Sequence, residues 1–333
     1  MNIIIPMAGM GKRMRPHTLT VPKPLIPIAG KPIVQRLVED IAKVCGEKID
    51  EIGFVIGNFG KEVENNLLNI AKSVGAKGVI YYQDQPLGTA HAVMCAKETL
   101  KGKTVIAFAD TLFKADFVMD TNKEGVIWVQ KVEDPRQFGV VKLNQNNEIT
   151  NLVEKPEQFV SDLAIIGIYY LKDGDYLKKE IQYLLDNNIK DKGEFQLTNA
   201  LENMKNKGVK FFPGKVTEWL DCGNKDSTVF TNQRYLEFIK DQDLVSKSAK
   251  INNAVIIKPV FIGDNVEIEN SVVGPYVSVG SNTKISESRV KNSIVQENTT
   301  ILNANFSNSM VGNFVKFEGR SEDLSVGDYN VIK

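Results

Sequence analysis

The first third of the chain alternates short apolar runs with stretches in which apolar residues recur every three or four positions. Asn2–Pro6 is rich in Ile, and Ile52–Ile56, Gly78–Tyr82 and Thr104–Ala109 are runs of the same kind, so each predicts a buried strand. Between them Ile33, Leu37, Ile41 and Val44 keep helical spacing up to Gly46, a helix-closing residue. Lys61–Ser73 and Thr89–Leu100 read as further helices. Strands and helices alternating at these lengths predict an α/β fold, a Rossmann-like doubly wound, mostly parallel sheet. Ligands bind such sheets beyond the carboxyl ends of the strands. The loop after Pro6, the segment Gln83–Gly88 and Asp110 all follow predicted strands, so one crevice can hold all three.

The pattern changes after a helical stretch at Thr228–Ile239. From Ser246–Ser248 onward helical spacing disappears, and apolar residues recur every six positions: Ile262 and Ile268; Val273, Val279 and Ile285; Val295 and Ile301; Val311 and Phe317. Gly263, Gly274, Gly280 and Gly312 accompany them at turns. A six-residue period predicts a β-solenoid of hexapeptides, with about three to a coil. The expected organisation is a domain at 1–245 and a small all-β left-handed β-helix at 246–333.

Composition narrows the partners. Forty-one Lys and Arg balance 41 Asp and Glu, which leaves no net field to attract nucleic acid or an anionic membrane, so neither is expected as a partner. Cys45, Cys95 and Cys222 are odd in number and far apart, which is neither a disulfide framework nor a metal cluster and suits a reducing cytoplasm. The chain opens on strand-like sequence, so no signal peptide is expected, and no apolar run reaches membrane-spanning length.

The chemistry is concentrated near the start. After the first strand comes Ala8-Gly9-Met10-Gly11, where glycines let several backbone N–H groups point at one anion, and Lys12, Arg13, Arg15 and Lys23 add positive charge. This fits a phosphate cradle, or an ordinary strand-to-loop connection. It is neither a P-loop nor a dinucleotide fingerprint, because the following Lys-Ser/Thr and the third Gly are missing. Gln83 to Ala92 offers a side-chain amide able to donate to and accept from a base edge, beside a glycine that permits close approach; it also reads as a polar turn capped by Thr89. His91 reads as a packed structural residue. Asp110 ends an apolar strand where a hard divalent cation could be held, and Asp221 supplies a second carboxylate.

In combination these segments resemble the sugar-1-phosphate nucleotidyltransferases. The G-x-G-K-R-M-R-P loop, Lys23-Pro24-Leu25-Ile26-Pro27 and Gly30-Lys31-Pro32 follow one another at the family's distances. Phe138-Gly139-Val140-Val141, Glu154-Lys155-Pro156, the Ala164–Tyr169 strand with Gly167, Lys192-Gly193-Glu194 through Asn199, and Trp219-Leu220-Asp221-Cys222-Gly223 resemble its later motifs. Asn199 stands where the family usually has Asp.

The resemblance implies the reaction of a nucleoside triphosphate with a sugar 1-phosphate to give a nucleotide sugar and pyrophosphate. It gives Ala8, Gly9, Gly11, Lys12, Arg13, Lys23, Gln83, Gly88 and Thr89 to the nucleotide, and Gly139, Glu154, Lys155 and Gly167 to the sugar phosphate. Asp110 and Asp221 go to Mg²⁺, with Arg13, Lys23 and Asp110 as the catalytic set and Arg15 a lesser helper. Ala8 in place of Gly points toward the uridylyl branch, and the tail toward the long thymidylyl branch, so the base stays open between dTTP and UTP. Two other readings remain: a catalytically silent, sugar-nucleotide-sensing subunit, and a bifunctional enzyme with an acetyltransferase tail. Against the second, both histidines, His17 and His91, precede the tail. The tail is expected to serve assembly into a homo-oligomer, or regulation.

Overall fold

The computed structural model describes residues 1–9, 11–114 and 118–320; Met10 of the loop signature and the last part of the predicted tail domain lie outside the described residues. Contacts group the chain into two compact units, Met1–Ile26 with Lys31–Asn224, and Pro27–Gly30 with the chain from Lys225 onward.

In the first unit the strands longer than two residues are β1 (Asn2–Pro6), β2 (Glu51–Ile56), β3 (Lys77–Tyr82), β4 (Thr104–Ala107), β5 (Thr111–Lys114), β6 (Gly125–Lys131), β7 (Gly139–Leu143), β8 (Ile149–Glu154), β9 (Leu163–Leu171), β10 (Phe211–Lys215) and β11 (Glu218–Asp221). Nine of them form one sheet in the order β8-β7-β9-β4-β1-β2-β3, with β6 pairing β9 and β10. The pairs β1–β2, β1–β4 and β2–β3 are parallel, as expected. Beyond β4 the sheet becomes antiparallel at β9, which also pairs antiparallel with β6 and β7. β1 is buried along its whole length, which explains its unbroken apolar run.

Three helices make the crossovers: α1 (Ile33–Cys45), α2 (Lys61–Ser73) and α3 (Thr89–Cys95). α1 buries Ile33, Leu37, Val38 and Ile41 and stops at Gly46, whose φ of 64° is left-handed. Each such aliphatic side chain contributes roughly 1.5–3 kcal/mol on burial. α3 ends five residues before the expected Leu100. Thr99 is drawn into a network instead: its carbonyl accepts from Asn2 Nδ2 (3.1 Å), and its hydroxyl meets Glu51 Oε1 (2.5 Å) and Tyr81 OH (2.8 Å). β4 likewise ends before Ala109, since the Phe108 N–H turns to the Gly167 carbonyl (3.0 Å). Two more helices, α4 (Gly174–Asp186) and α5 (Leu197–Asn206), complete this unit; Leu177, Ile181, Leu197 and Leu201 enter its core.

The second unit contains α6 (Lys225–Phe238) and three sheets of short parallel strands, five, four and four in number among the described residues. This is the arrangement of a left-handed β-helix. α6, which the sequence joins to the first domain, groups here with the coils: Asn232 is fully buried, and its Oδ1 accepts from Ser278 Oγ (2.7 Å) and Ala29 N (2.9 Å). The coils are shorter than three hexapeptides. Ile251, Ile268 and Ile285 stack in steps of seventeen residues, then Ile285, Ile301 and Phe317 in steps of sixteen. One side in each coil takes five residues instead of six, as from Ile268 to Val273, and a second side shortens between Val290 and Val295. Asparagine occupies many corners. Asn253, Asn265, Asn270, Asn282, Asn292, Asn298, Asn303 and Asn308 all have positive φ, a conformation Asn tolerates better than other side-chain-bearing residues.

Candidate active site

The loop after β1 is shaped by local sterics. Met7 N still bonds to the Val55 carbonyl (2.8 Å), but a Cβ on Gly9 would meet nothing within 4 Å, so the backbone there borders open space. Gly11 is left-handed (φ 57°), and a Cβ on it would stand 2.9 Å from Lys23 Cβ, inside van der Waals contact. That close approach joins the loop to the turn Lys23–Leu25. Lys23 is almost enclosed, at 8% exposure, and its ammonium pairs with Asp110 Oδ2 at 3.0 Å.

A cleft of about 640 Å³ opens against this loop. Ala8, Gly9, Gly11, Lys12, Arg13 and Lys23 line it together with Gln83, Gly88, Thr89 and Asp110. All nine residues expected for the nucleotide therefore border one space, whereas Arg15 does not line it. Gly88 has φ 117°, and a Cβ on it would lie 2.7 Å from Phe195 N and closer still to that residue's carbonyl oxygen. Thr89 Oγ1 accepts from Leu197 N (2.8 Å), which ties α3 to α5. His91 does more than pack: Gln83 Nε2 stands 3.1 Å from its Nδ1 and 3.3 Å from the Gly88 carbonyl. Burial lowers the His91 pKa, which favours the neutral ring.

A second cleft of about 240 Å³ adjoins the first and is lined by Gly139, Glu154, Lys155 and Gly167, the four expected sugar-phosphate residues, and by Asp221. Arg13, Thr89, Phe108 and Asp110 line both clefts. A Cβ on Gly139 would stand 3.1 Å from Glu154 Oε2, so the glycine leaves that carboxylate its room; Thr198 Oγ1 donates to the same oxygen (3.2 Å). Lys155 adopts a left-handed backbone (φ 40°), and its carbonyl accepts from Lys192 Nζ. Tyr169 lies beneath, its phenol kept protonated by burial and by the Glu154 and Asp110 charges.

β5 and β11 bring the two aspartates together. Asp221 pairs in register with Thr111, and Cys222 N donates to the Asp110 carbonyl (2.9 Å). A Cβ on Gly223 would lie 3.0 Å from both Asp221 carboxylate oxygens and 3.4 Å from Arg13 Nη2, so both groups border the space the glycine leaves open. Two hard oxygen donors fit Mg²⁺, and no cluster of three or more His, Cys, Asp or Glu able to hold a metal occurs among the described residues. An ion that keeps most of its shell for phosphate and water needs few protein ligands.

Sequence reasoning assigned no role to Phe108, which walls both clefts, or to Trp219 of the Trp219–Gly223 motif, whose indole packs edge-on to Phe138 (5.2 Å) with a buried N–H that has no partner among the described residues. The spacing of Trp219 to Asp221 was the available signal for the second.

A sequence model of the family described as nucleotidyl transferase matches residues 2–237. The chain belongs to that family. This nucleotidyltransferase is 31% identical over 266 residues to the low-salt glycan biosynthesis nucleotidyltransferase Agl11 of Haloferax volcanii, covering 77% of this chain and 72% of that one. It is 33% identical over 261 residues to the bifunctional protein GlmU of Methanococcus maripaludis, covering 77% of this chain but 59% of the relative's length. Its fold resembles a putative glucose-1-phosphate thymidylyltransferase from Bacillus anthracis crystallised with a sucrose, with a TM-score of 0.59 and 23% identity over 74% of this chain and 97% of that one. No helix among the described residues is long and apolar enough to cross a membrane.

Proposed function

We propose that the protein joins a nucleoside triphosphate to a sugar 1-phosphate, with glucose 1-phosphate and dTTP or UTP as the substrates, releasing pyrophosphate. The observation that supports this is the pair of adjoining clefts that share Arg13 and Asp110. The first has room for a nucleotide among backbone N–H groups and cations, and the second offers a carboxylate and an ammonium to hydroxyls and a phosphate.

In this reading a sugar-phosphate oxygen attacks the α-phosphorus in line, the new P–O bond forms, and the bond to pyrophosphate breaks with its electron pair leaving on pyrophosphate. The attacking phosphate is already ionised, so no general base is needed. Arg13 and Lys23 carry the triphosphate and the charge that grows on it, and Lys155 holds the incoming phosphate; positioning and electrostatics supply most of the rate. Asp110 and Asp221 would hold Mg²⁺, which when bound neutralises phosphate charge and polarises the phosphoryl group. Every residue given a role here lies within 1–245, and 246–333 serve assembly into a homo-oligomer, or regulation. None of the three cysteines forms a disulfide among the described residues, which suits a cytoplasmic enzyme.

The test is pyrophosphate release with Mg²⁺ across dTTP, UTP, ATP, CTP and GTP, paired with glucose, mannose, galactose and N-acetylglucosamine 1-phosphates. A preferred pair that Asp110→Ala abolishes is the expected result. Silence across the grid from folded protein that still binds a nucleotide would favour a sensing subunit. Acetyl-CoA consumption would be needed to support the bifunctional reading suggested by the name of the GlmU relative.

A further inference from the structure

We propose that His91 is a positioning residue that fixes the Gln83 carboxamide with its oxygen toward the nucleotide cleft, selecting a base that donates a ring N–H, uracil or thymine, over cytosine. The inference rests on the nucleotidyl-transfer reading above. It begins at Gly88, whose carbonyl can only accept. Gln83 Nε2 lies 3.3 Å from that oxygen, and the opposite amide orientation would set oxygen against oxygen. The same nitrogen lies 3.1 Å from His91 Nδ1. With one amide hydrogen given to Gly88, the other goes to His91, so Nδ1 is the bare acceptor and the imidazole proton sits on Nε2. Burial favours that neutral ring.

The surroundings hold the arrangement. Gln83 N is tied to the Ile56 carbonyl (2.9 Å), and the Gly88 turn is clamped by Phe195, which donates to the Leu87 carbonyl (2.8 Å) and accepts from Ala90 N (2.9 Å). Both amide hydrogens are spent, so the amide offers its oxygen to a ligand. Uracil and thymine carry N3–H, whereas cytosine has a bare N3 at the same place. A fixed carbonyl accepts from the first and repels the second, and a site built for one hydrogen bond discriminates strongly against an analogue that lacks it.

The experiment measures kcat/KM for UTP, dTTP and CTP with wild type, His91→Ala and His91→Gln. Wild type is expected to prefer UTP or dTTP over CTP. In His91→Ala the amide keeps only the longer contact to Gly88 (3.3 Å) and is held less firmly, so the UTP-to-CTP ratio should fall about tenfold, the scale of one neutral hydrogen bond, with the change carried by KM for the nucleotide. His91→Gln, which again offers an acceptor, should recover part of the ratio. N3-methyl-UTP should be at least about tenfold poorer than UTP with wild type, a comparison that needs no variant. An unchanged ratio in folded His91→Ala, equal use of N3-methyl-UTP, or a wild-type preference for CTP would overturn the role of His91 while leaving nucleotidyl transfer standing. Failure to bind or turn over any triphosphate would overturn both.

Discussion

Lys23 Nζ stands 3.0 Å from Asp110 Oδ2, joining an enclosed ammonium to a carboxylate that is 44% exposed on the wall common to both clefts. The turn Lys23–Leu25 fixes the lysine, and the connection between β4 and β5, whose Asp110 carbonyl accepts from Cys222 N, fixes the aspartate, so the pair is held from two sides. Lys23→Met should lower kcat by about 10²–10³-fold, the cost of removing a preorganised charge from a transition state. Asp110 keeps its access to water in that variant, so the melting temperature should move little. Pyrophosphate release and a thermal melt check both halves.

Asp221→Asn keeps the shape of the side chain and removes its charge. The Mg²⁺ concentration for half-maximal activity should rise about tenfold or more, with partial recovery at high Mg²⁺. Titrating MgCl₂ at saturating substrates measures this, and an unchanged titration would exclude Asp221 as a ligand.

Gly88→Ala places a methyl group against the Phe195 backbone in a left-handed conformation. The loss of stability should be about 2–4 kcal/mol, combining backbone strain with a clash that backbone atoms cannot relieve. Urea unfolding gives the number, and KM for the triphosphate should rise in the same variant.

Glu154→Gln should raise KM for the sugar phosphate several-fold and leave KM for the triphosphate near its wild-type value, because Glu154 lines only the smaller cleft. Gly139→Ala should act in the same direction, since its methyl would press on Glu154 Oε2. A rise in both constants would contradict the division of labour.

Burial pushes the Cys45 thiol up to about 12, and Cys95 is raised in the same way. Cys45 therefore stays protonated in the folded protein well above the pH at which a free thiol ionises, near 8.5. The native state binds the extra proton, so this group's contribution to stability is full below about pH 8.5 and is lost as pH rises toward 12. At pH 8, DTNB should leave Cys45 and Cys222, both buried, unreacted in native protein, whereas all three thiols should react in guanidinium.

What could be read from the chain follows from the range of each interaction. The loop at Ala8–Lys12, the parallel strands and α1 are determined by neighbours in sequence, through glycine, apolar runs and helical spacing. The partners of the site are distant: Gly88 is shaped by Phe195, Thr89 is held by Leu197, and Asp110 meets Cys222. The early end of α3 comes from Asn2 and Glu51 competing for Thr99, which no local pattern records. His91 resembles a packed residue until its ring nitrogen is seen beside Gln83. The six-residue period of the tail was visible, but the five-residue sides that shorten each coil appear only when the strands are stacked.

The asparagine corners of the β-helix form ladders, with Asn253 bonded to Asn270, Asn265 to Asn282, Asn282 to Asn298, and Asn292 to Asn308. Each of these rungs joins two amides one coil apart, while the ladder from Asn253 and Asn270 passes on to the Glu287 carboxylate (2.6 Å). A coil added or removed whole keeps such corners in phase, as a spring is cut to size. A single inserted residue is a different event: it displaces every later asparagine from its bend and leaves strained backbone in its place.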